Sequence, residues 1–290
     1  MYLSMNTKEL LKDFEKNFPL IDPDLDLNPS YESLEKEFFW YLDHKGKLST
    51  YCANNAIIKA FQQDMFYIVE KELWKIEKVK IQLIENRCKY LSKKPEELTT
   101  YDILSGFKKS GIYYGYSGFN PLLAKWFFEQ YKTKICYDPC GGWGHRMLGA
   151  TEIDKYIYND LSKTVAENVL DIKNTFDFFN VEVYSNDART FIPDDDFDTM
   201  FTCPPYFNLE LYECGEFKDI DDYNNFIDCL FNTFNKKESC KIFGLVIRED
   251  LIGKHTDYAE KISLKQHKAS HLMKNKKKKF DEYLYIYKKE

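Results

Sequence analysis

The sequence predicts an α/β fold with a mostly parallel sheet over residues 111–290, preceded by a helical region over residues 1–110. Three observations predict the sheet. From residue 135 onward, short apolar stretches alternate with helical patterns, which is typical of parallel strands joined by right-handed crossovers. A glycine-rich turn follows the first of these stretches. Near the end of the chain, the stretch 283–287 predicts a strand of an antiparallel hairpin.

Each predicted strand is rich in β-branched or aromatic residues, which pack well on a pleated surface. The predicted strands are 135–137, 155–160, 181–187, 197–201, 242–247 and 283–287. Pro121 occupies the position expected for the first residue of a helix, because its missing N–H is not needed there. A second helix is predicted over residues 222–234.

The first 110 residues are predicted to be mainly helical. Thr7 is placed to cap a first helix, and Ser30 opens a second one that ends near Gly46. A long third pattern runs over residues 53–89 with apolar residues at helical spacing, and Pro95 terminates it. Its aromatic and methionine stripe is typical of packing rather than of a cofactor site.

Composition places the protein among folded, soluble chains. Of 290 residues, 44% are hydrophobic and 17% aromatic, which argues against disorder. The net charge of −6 excludes a uniformly basic nucleic-acid coat, so any contact with a nucleic acid must come from local patches. No run of about eighteen apolar residues occurs. We therefore expect a soluble, cytoplasmic protein with no membrane partner.

The eight cysteines do not form a Cys-x-x-Cys pair, and the five histidines lack zinc-finger spacing, so no structural zinc is predicted. Without a secretion signal, reduced thiols are expected. Cys203 lies beside two prolines, as the nucleophile of cytosine C5-methyltransferases does. In those enzymes, however, the cysteine follows the proline pair, whereas Cys203 precedes it, which argues against a covalent role.

Two stretches carry the functional signal. The first, 135–144, is a strand followed by Asp138 and a glycine-rich turn that opens a helix. The second is Thr202-Cys203-Pro204-Pro205-Tyr206, which directly follows an apolar strand. Two adjacent prolines restrict the backbone, so the carbonyl groups before the tyrosine point in one direction. Alone, a Pro-Pro-Tyr turn commonly just ends a strand.

Together, the two stretches resemble motif I (Asp-Pro-Phe-x-Gly-x-Gly) and motif IV (Asp/Asn/Ser-Pro-Pro-Tyr) of the amino-methyltransferases that modify DNA. The stretch 61–74 also resembles a segment that precedes motif I in some phage-type DNA methylases. The resemblance implies a Rossmann-like class I methyltransferase fold with a seven-stranded sheet. It also implies S-adenosyl-L-methionine as the cofactor.

Acidic residues that close three successive strands are the main candidates for cofactor binding, because ligands of such folds bind beyond the carboxyl ends of the strands. By the resemblance, Asp138 faces the ammonium group, Asp160 the ribose hydroxyls and Asp187 the adenine amino group. The glycine-rich turn leaves room for the cofactor. The segment before Pro121 occupies the place of the family's motif X. The remaining cofactor-binding candidates are Cys140, Gly142, Gly144, Ser117, Phe119 and Asn120.

The catalytic candidates are Cys203, Pro204, Pro205 and Tyr206. In the family, the first residue of motif IV and the next carbonyl accept hydrogen bonds from an exocyclic amine and place its nitrogen in line with the methyl group. The target base is flipped out of duplex DNA and stacks on the tyrosine. Cys203 departs from the motif and is a weaker acceptor than Asp, Asn or Ser. This departure leaves open a weakened or inactive enzyme.

Thr-Cys-Pro-Pro-Tyr is nearest in size to the Thr-Ser-Pro-Pro-Tyr of cytosine-N4 enzymes, so cytosine N4 is favoured over adenine N6. Three alternatives remain open. The same chemistry methylates RNA bases and protein glutamines. A relative without activity would bind nucleic acid only. A glycine-rich turn with Asp160 about twenty residues later would also suit a nicotinamide cofactor.

Duplex DNA is the predicted partner, and a homodimer is left open. Little chain remains after the fifth predicted strand for a separate recognition domain. The helical region 1–110 and the loop after Tyr206 are therefore expected to supply much of the DNA surface. The lysine-rich segment 274–279 would contact phosphates if it lies beside the active face, although such runs are usually solvated loops.

Overall fold

The computed structural model describes residues 76–98, 102, 106, 119–175, 180–207, 217–264 and 281–290. The chain divides into two compact units, one of residues 1–118 with 271–274 and one of residues 119–270 with 275–290. The helices predicted from Thr7 and Ser30, the stretch 61–74, Ser117 and the lysine-rich segment lie outside the described residues.

In the first unit, helix α1 spans Glu77–Leu91 and a short 3-10 helix spans Pro95–Glu97. Helix α1 confirms the predicted helical pattern from residue 77 onward, whereas Ile76, inside the predicted range, is extended and directly precedes the helix. Its buried side chains include Leu83, Ile84 and Arg87. The helix stops at Ser92, which adopts the left-handed conformation with φ 55° and donates its backbone N–H to the carbonyl of Cys88.

The second unit contains a seven-stranded sheet with the order β3-β2-β1-β4-β5-β7-β6. The strands are β1 Ile135–Asp138, β2 Lys155–Asn159, β3 Val181–Tyr184, β4 Thr199–Thr202, β5 Ile242–Arg248, β6 Glu260–Leu264 and β7 Glu282–Lys288. Neighbours from β3 through β5 are parallel, whereas β7 runs antiparallel to both β5 and β6. The predicted fold class, a mostly parallel α/β sheet with an antiparallel C-terminal pair, is confirmed.

Four helices accompany these strands in the described part of the second unit. They are α2 Pro121–Tyr131, α3 His145–Leu148, α4 Lys163–Thr175 and α5 Ile220–Lys236. As predicted, α2 begins with Pro121 at its first position, and the Asn120 side chain caps it by accepting the N–H of Leu122 at 3.0 Å. Another 3-10 helix, Glu249–Leu251, follows β5. The strand β6 had no counterpart among the ranges predicted from the sequence.

Successive residues of β4 pack against opposite layers, because side chains alternate along a strand. Met200 belongs to the core that includes Leu230 and other apolar residues of α5. Phe201 stacks on Phe127 of α2, with ring centroids 4.2 Å apart. The sheet is therefore covered by α2 on one face and α5 on the other. Within the described ranges, no helix is long and apolar enough to cross a bilayer.

Gly244, in the middle of β5, is needed because of the aromatic pair on the α2 face. A Cβ at this position would lie 2.5 Å from Cζ of Phe127 and 2.7 Å from Cδ2 of Phe201. We expect Gly244→Ala to lower the free energy of unfolding by about 1–3 kcal/mol, as overpacking does. Urea denaturation measures this loss.

A rescue variant separates crowding from a backbone effect at Gly244. In the background of Phe127→Leu, the smaller side chain leaves room for the added methyl group. The double variant should therefore lose less stability than the sum of the two single variants. Strict additivity would show that the aromatic pair does not impose the glycine.

Candidate active site

The carboxyl ends of β1, β2 and β3 carry the three predicted acids. Asp138 is the last residue of β1, Asp160 follows β2 directly, and Asp187 lies three residues beyond β3. Asn159, fully buried at the end of β2, ties these strand ends together. Its side-chain amide donates to the carbonyl groups of Pro139 at 3.1 Å and Asn186 at 3.0 Å, and its Oδ1 accepts the N–H of Asn186.

Asp138 is completely buried and anchors several segments of the chain. Its Oδ2 accepts hydrogen bonds from Arg146 Nε at 2.7 Å and from the Tyr156 hydroxyl at 2.5 Å. Its Oδ1 accepts the Thr202 hydroxyl at 2.7 Å, and the backbone N–H of Cys140 lies at 3.3 Å. Its contact with an ammonium group remains a prediction; in this structure both oxygens already accept hydrogen bonds from the protein.

Arg146, in α3, is the counter-ion of Asp138 and is itself buried. Its guanidinium also donates to the carbonyl of Cys140 and lies 5.1 Å from the centre of the Phe119 ring. Burial works to lower the pKa of Arg146, but the adjacent Asp138 carboxylate more than offsets this, so the pKa is raised overall. The neighbouring His145 is held neutral, because burial and the Arg146 charge lower its pKa to about 3.

The Tyr158 side chain packs directly against the glycine-rich turn. A Cβ on Gly141 would lie 2.0 Å from the Tyr158 ring, so no larger residue fits there. The Tyr158 hydroxyl donates to the carbonyl of Gly142 at 2.6 Å. Gly142 itself has φ +55°, and a Cβ there would meet no atom within 4 Å. The turn thus presents backbone to open space at Gly142, as a ligand cradle requires.

Asp160 connects the turn to β2. Its Oδ2 accepts the N–H of Gly142 at 2.9 Å, and its Oδ1 accepts the N–H of Ser162 at 2.9 Å. Burial raises the pKa of Asp160, and these two backbone hydrogen bonds offset part of the shift. Each carboxylate oxygen retains a second lone pair that can accept a ligand hydroxyl.

Asp187 is less buried than Asp138 and accepts the backbone N–H of Arg189 at 2.9 Å. The Arg189 guanidinium lies 3.5 Å from Asp187 and 3.4 Å from Asp222, over the ring of Phe217. The predicted adenine-binding carboxylate therefore lies beside Arg189, which in turn lies over the Phe217 ring. Sequence reasoning did not identify either of these neighbours.

The proline corner 203–206 lies next to the glycine-rich turn, because the Thr202 hydroxyl reaches Asp138. Pro204 is buried, whereas Cys203, Pro205 and Tyr206 are half-buried. The Cys203 Sγ lies 3.7 Å from the Tyr206 hydroxyl. That hydroxyl donates to Oε1 of Glu282, the first residue of β7. The structure thus brings the two predicted motifs together at one edge of the sheet.

Tyr223 of α5 is completely buried, and its ring lies 5.9 Å from that of Phe207, the residue after the proline corner. Burial raises its pKa, and the Cys203 and Cys140 thiols add to the shift. Among the described residues its hydroxyl has no hydrogen-bond partner. A buried hydroxyl that lacks a partner among the described residues is costly for stability.

The motif X candidates lie partly within the described structure. Phe119 packs edge-on against Phe201, with centroids 5.7 Å apart, and lies under Arg146. Asn120 caps α2, so it has a structural role whether or not it binds a ligand. Ser117 lies outside the described residues. Phe119 therefore contacts Arg146 in the helix that follows the glycine-rich turn. Contact of any motif X residue with a cofactor remains a prediction.

Several residues of the site carry no sequence signal that we recognised. Tyr156 and Tyr158 are ordinary strand residues, Arg146 is one basic residue in a short helix, and Glu282 opens the last strand. Their roles arise from contacts with residues distant in the chain. The Asp138-Pro139 pair at the end of a strand was the one sequence hint of these contacts. A buried carboxylate at that point needs hydrogen-bond donors from other parts of the chain. No group of metal-ligating side chains occurs in the described segments.

The chain matches no protein-family model and no curated protein. Among solved structures it is similar to the N-methyltransferase NodS from Bradyrhizobium japonicum, at 10% identity and a TM-score of 0.39 over 54% of this chain and 85% of NodS. It is also similar to TrmN from Thermus thermophilus, at 13% identity and a TM-score of 0.42 over 59% of this chain and 49% of TrmN. The human methyltransferase 10 domain containing protein has 8% identity and a TM-score of 0.42 over 58% and 81% of the respective chains.

Removing Arg146 tests the importance of the buried ion pair. Arg146→Leu leaves the Asp138 carboxylate buried without its counter-ion, and we expect a loss of about 3–5 kcal/mol in the free energy of unfolding. Denaturant titration measures it. The matched control is Lys163→Leu, at the exposed i,i+4 pair with Glu167, which should cost under about 0.5 kcal/mol. Equal effects of the two variants would contradict the assigned role.

The raised pKa of Glu282 predicts that the free energy of unfolding depends on pH. Burial raises its pKa from 4.5 to about 7, so the folded state favours the protonated acid. The corresponding stability is present below the unfolded-state pKa and is lost as the pH rises through about 7. Glu282→Gln mimics the neutral acid, and we expect it to stabilise the protein above pH 7 by up to about 3 kcal/mol.

The gain in Glu282→Gln should fade as the pH falls to about 4.5, where wild-type Glu282 is protonated when folded. Glu260→Gln is the control, because the pKa of Glu260 is shifted in the opposite direction. The hydrogen bond from Lys288 lowers it. That variant should gain nothing at high pH. A pH-independent difference between wild type and Glu282→Gln would refute the expectation.

Proposed function

We propose that the protein is an S-adenosyl-L-methionine-dependent amino-methyltransferase whose substrate is a base of DNA, with cytosine N4 as the favoured target. The observation that carries the proposal is the Thr202–Asp138 hydrogen bond, 2.7 Å long, which sets the proline corner directly beside the glycine-rich turn. A methyl donor held by the turn and an amine held at the corner would therefore be neighbours.

The residues at the turn fit this cofactor. Gly142 presents backbone to open space, so it can be approached closely. Asp160 has the lone pairs that a ribose diol needs, and Asp187 offers a carboxylate to an adenine amino group. Bound S-adenosyl-L-methionine supplies an electrophilic methyl group. This set of groups favours a ligand with both a ribose and a base.

The protein's contribution at the corner is positional. The Pro204 carbonyl, held by two prolines, accepts a hydrogen bond from the target amine and directs the nitrogen lone pair. The Tyr206 ring offers a flat apolar face on which a base stacks. Cys203 packs beside the amine as a neutral and weak acceptor. Recognition of duplex DNA by the helical N-terminal region accompanies this proposal.

Expression in a host that lacks DNA methylation, followed by nucleoside mass spectrometry of its DNA and RNA, tests the proposal. We expect N4-methylcytosine in DNA. Asp160→Ala should abolish the signal and weaken S-adenosylhomocysteine binding by about 10–100-fold, since it removes a hydrogen bond to a charged group. Asp194→Ala, an exposed carboxylate outside the site, is the matched control and should change neither quantity.

The outcomes separate the alternatives. N6-methyladenine in DNA would keep the activity and change the target. Methylated RNA or methylated protein glutamine alone would refute DNA as the substrate. Absence of methylation together with absence of S-adenosylhomocysteine binding would refute the proposal as a whole.

A further inference from the structure

Arg189 lies just beyond β3, between two carboxylates. Its Nη1 lies 3.5 Å from Oδ2 of Asp187, and its Nη2 lies 3.4 Å from Oδ1 of Asp222. Hydrogen bonds between charged groups of this kind are usually about 2.7–2.9 Å long. The guanidinium therefore spans both acids without a tight bond to either. Among the described residues its guanidinium makes no other hydrogen bond or ion pair.

Two aromatic rings restrain the position of this guanidinium. Its central carbon lies 5.6 Å from the centre of the Phe217 ring and 5.7 Å from that of Phe226, a buried residue of α5. The two rings contact each other, with centroids 5.3 Å apart. The Asp222 carboxylate is fixed as well, because its Oδ2 accepts the backbone N–H of Lys218 at 3.1 Å. Arg189 is therefore a preorganised cation, which lowers the entropy that a ligand must lose to bind it.

Asp187 presents its carboxylate from an equally ordered turn. Its Oδ1 accepts the backbone N–H of Arg189 at 2.9 Å, and its carbonyl group accepts the N–H groups of Thr190 and Phe191 at 3.0 and 2.9 Å. The Asp187 and Arg189 side chains are 39% and 36% exposed, so a ligand can reach both. One hydrogen-bond acceptor and one cationic donor thus lie 3.5 Å apart on the same turn.

An acceptor beside a donor matches the outer edges of an adenine base. Adenine carries an amino donor next to a ring-nitrogen acceptor, which is N1 on one edge and N7 on the other. A base with a keto group in place of the amino group has an acceptor where adenine has a donor. A site built to form hydrogen bonds with one base discriminates against an analogue that cannot form them. The Asp187–Arg189 pair therefore favours adenine over a deaminated base.

We infer that Arg189 is a specificity-determining residue for the methyl donor: its guanidinium donates a hydrogen bond to a ring nitrogen of adenine, while Asp187 accepts one from the amino group. The inference rests on the proposed function, because it takes the cofactor to be S-adenosyl-L-methionine. It adds a side-chain donor that the acidic residues after the strands cannot provide. Asp222 holds that donor beside Asp187, so the first turn of α5 takes part in selecting the base.

Binding of ligands that differ only in the base tests the inference by isothermal titration calorimetry. Wild-type protein should bind S-adenosylhomocysteine about 100-fold more tightly than S-inosylhomocysteine, in which a keto group replaces the amino group. Of the 1-deaza and 7-deaza analogues of S-adenosylhomocysteine, one should bind about tenfold more weakly, and it identifies the edge that Arg189 contacts. Equal wild-type affinities for all four ligands would overturn the inference.

Arg189→Met links the lost affinity to this side chain. Methionine retains apolar contact with the Phe217 and Phe226 rings but removes the donor. We expect S-adenosylhomocysteine to bind about tenfold more weakly. The penalty for the deaza analogue should disappear, because the variant and the analogue remove the same hydrogen bond. A deaza penalty of the same size in wild type and variant would show that another group donates to the ring nitrogen, and the inference would be wrong.

Lys237→Met is the matched control. Lys237 is also a cation beside a carboxylate and a ring, with its Nζ 3.7 Å from Asp196 and 5.7 Å from the centre of the Phe197 ring. It directly follows α5, whereas Asp222 lies in the first turn of that helix. This variant should keep the wild-type affinities for all four ligands. An equal loss of affinity in the two variants would indicate a general electrostatic effect and would also refute the role of Arg189.

Failure of this inference can be told apart from failure of the proposed function. A wild-type protein that transfers no methyl group and binds none of the four ligands would refute both. Methyl transfer by the wild type, combined with unchanged ligand affinities in Arg189→Met, would refute the Arg189 role alone. The wild-type ligand comparison does not depend on the folding of any variant.

Discussion

The buried ion pair of Asp138 and Arg146 is the constraint on which the rest of the site depends. A carboxylate with no exposure to solvent is tolerable only if charge and hydrogen bonds compensate for lost hydration. Arg146, Tyr156 and Thr202 supply them from the glycine-rich turn's helix, from β2 and from β4. Satisfying one charge therefore ties together three neighbouring strands, β2, β1 and β4.

The strand order explains why these ends form a site. The chain runs outward from β1 through β2 to β3, then returns to β4 on the other side of β1. A crevice is expected at such a reversal, beyond the carboxyl ends of the two neighbouring strands. The glycine-rich turn follows β1 and the proline corner follows β4, so each contributes one wall. The open space at Gly142 lies on this side of the sheet.

The antiparallel direction of β7 places the Glu282 carboxyl group at the carboxyl end of β5, whereas a parallel strand would place its first residue at the opposite end of the sheet. Because β7 runs opposite to β5, its first residue, Glu282, lies level with Arg248 at the carboxyl end of β5. The amino end of β7 thus reaches the end of the sheet where the proline corner lies. This arrangement links a glutamate near the C-terminus to Tyr206, 76 residues earlier in the chain.

Local chemistry in the sequence was sufficient to determine the α/β class, the helix start at Pro121 and the two motifs, because turns, caps and hydrophobic periodicity depend on neighbouring residues. It did not determine that Asp138 is enclosed by Arg146 and Tyr156, that Tyr158 forms the floor of the turn, or that Glu282 meets Tyr206. Those contacts join residues far apart in the chain. Only the pairing and direction of the strands decide them, since burial and register are properties of the packed sheet.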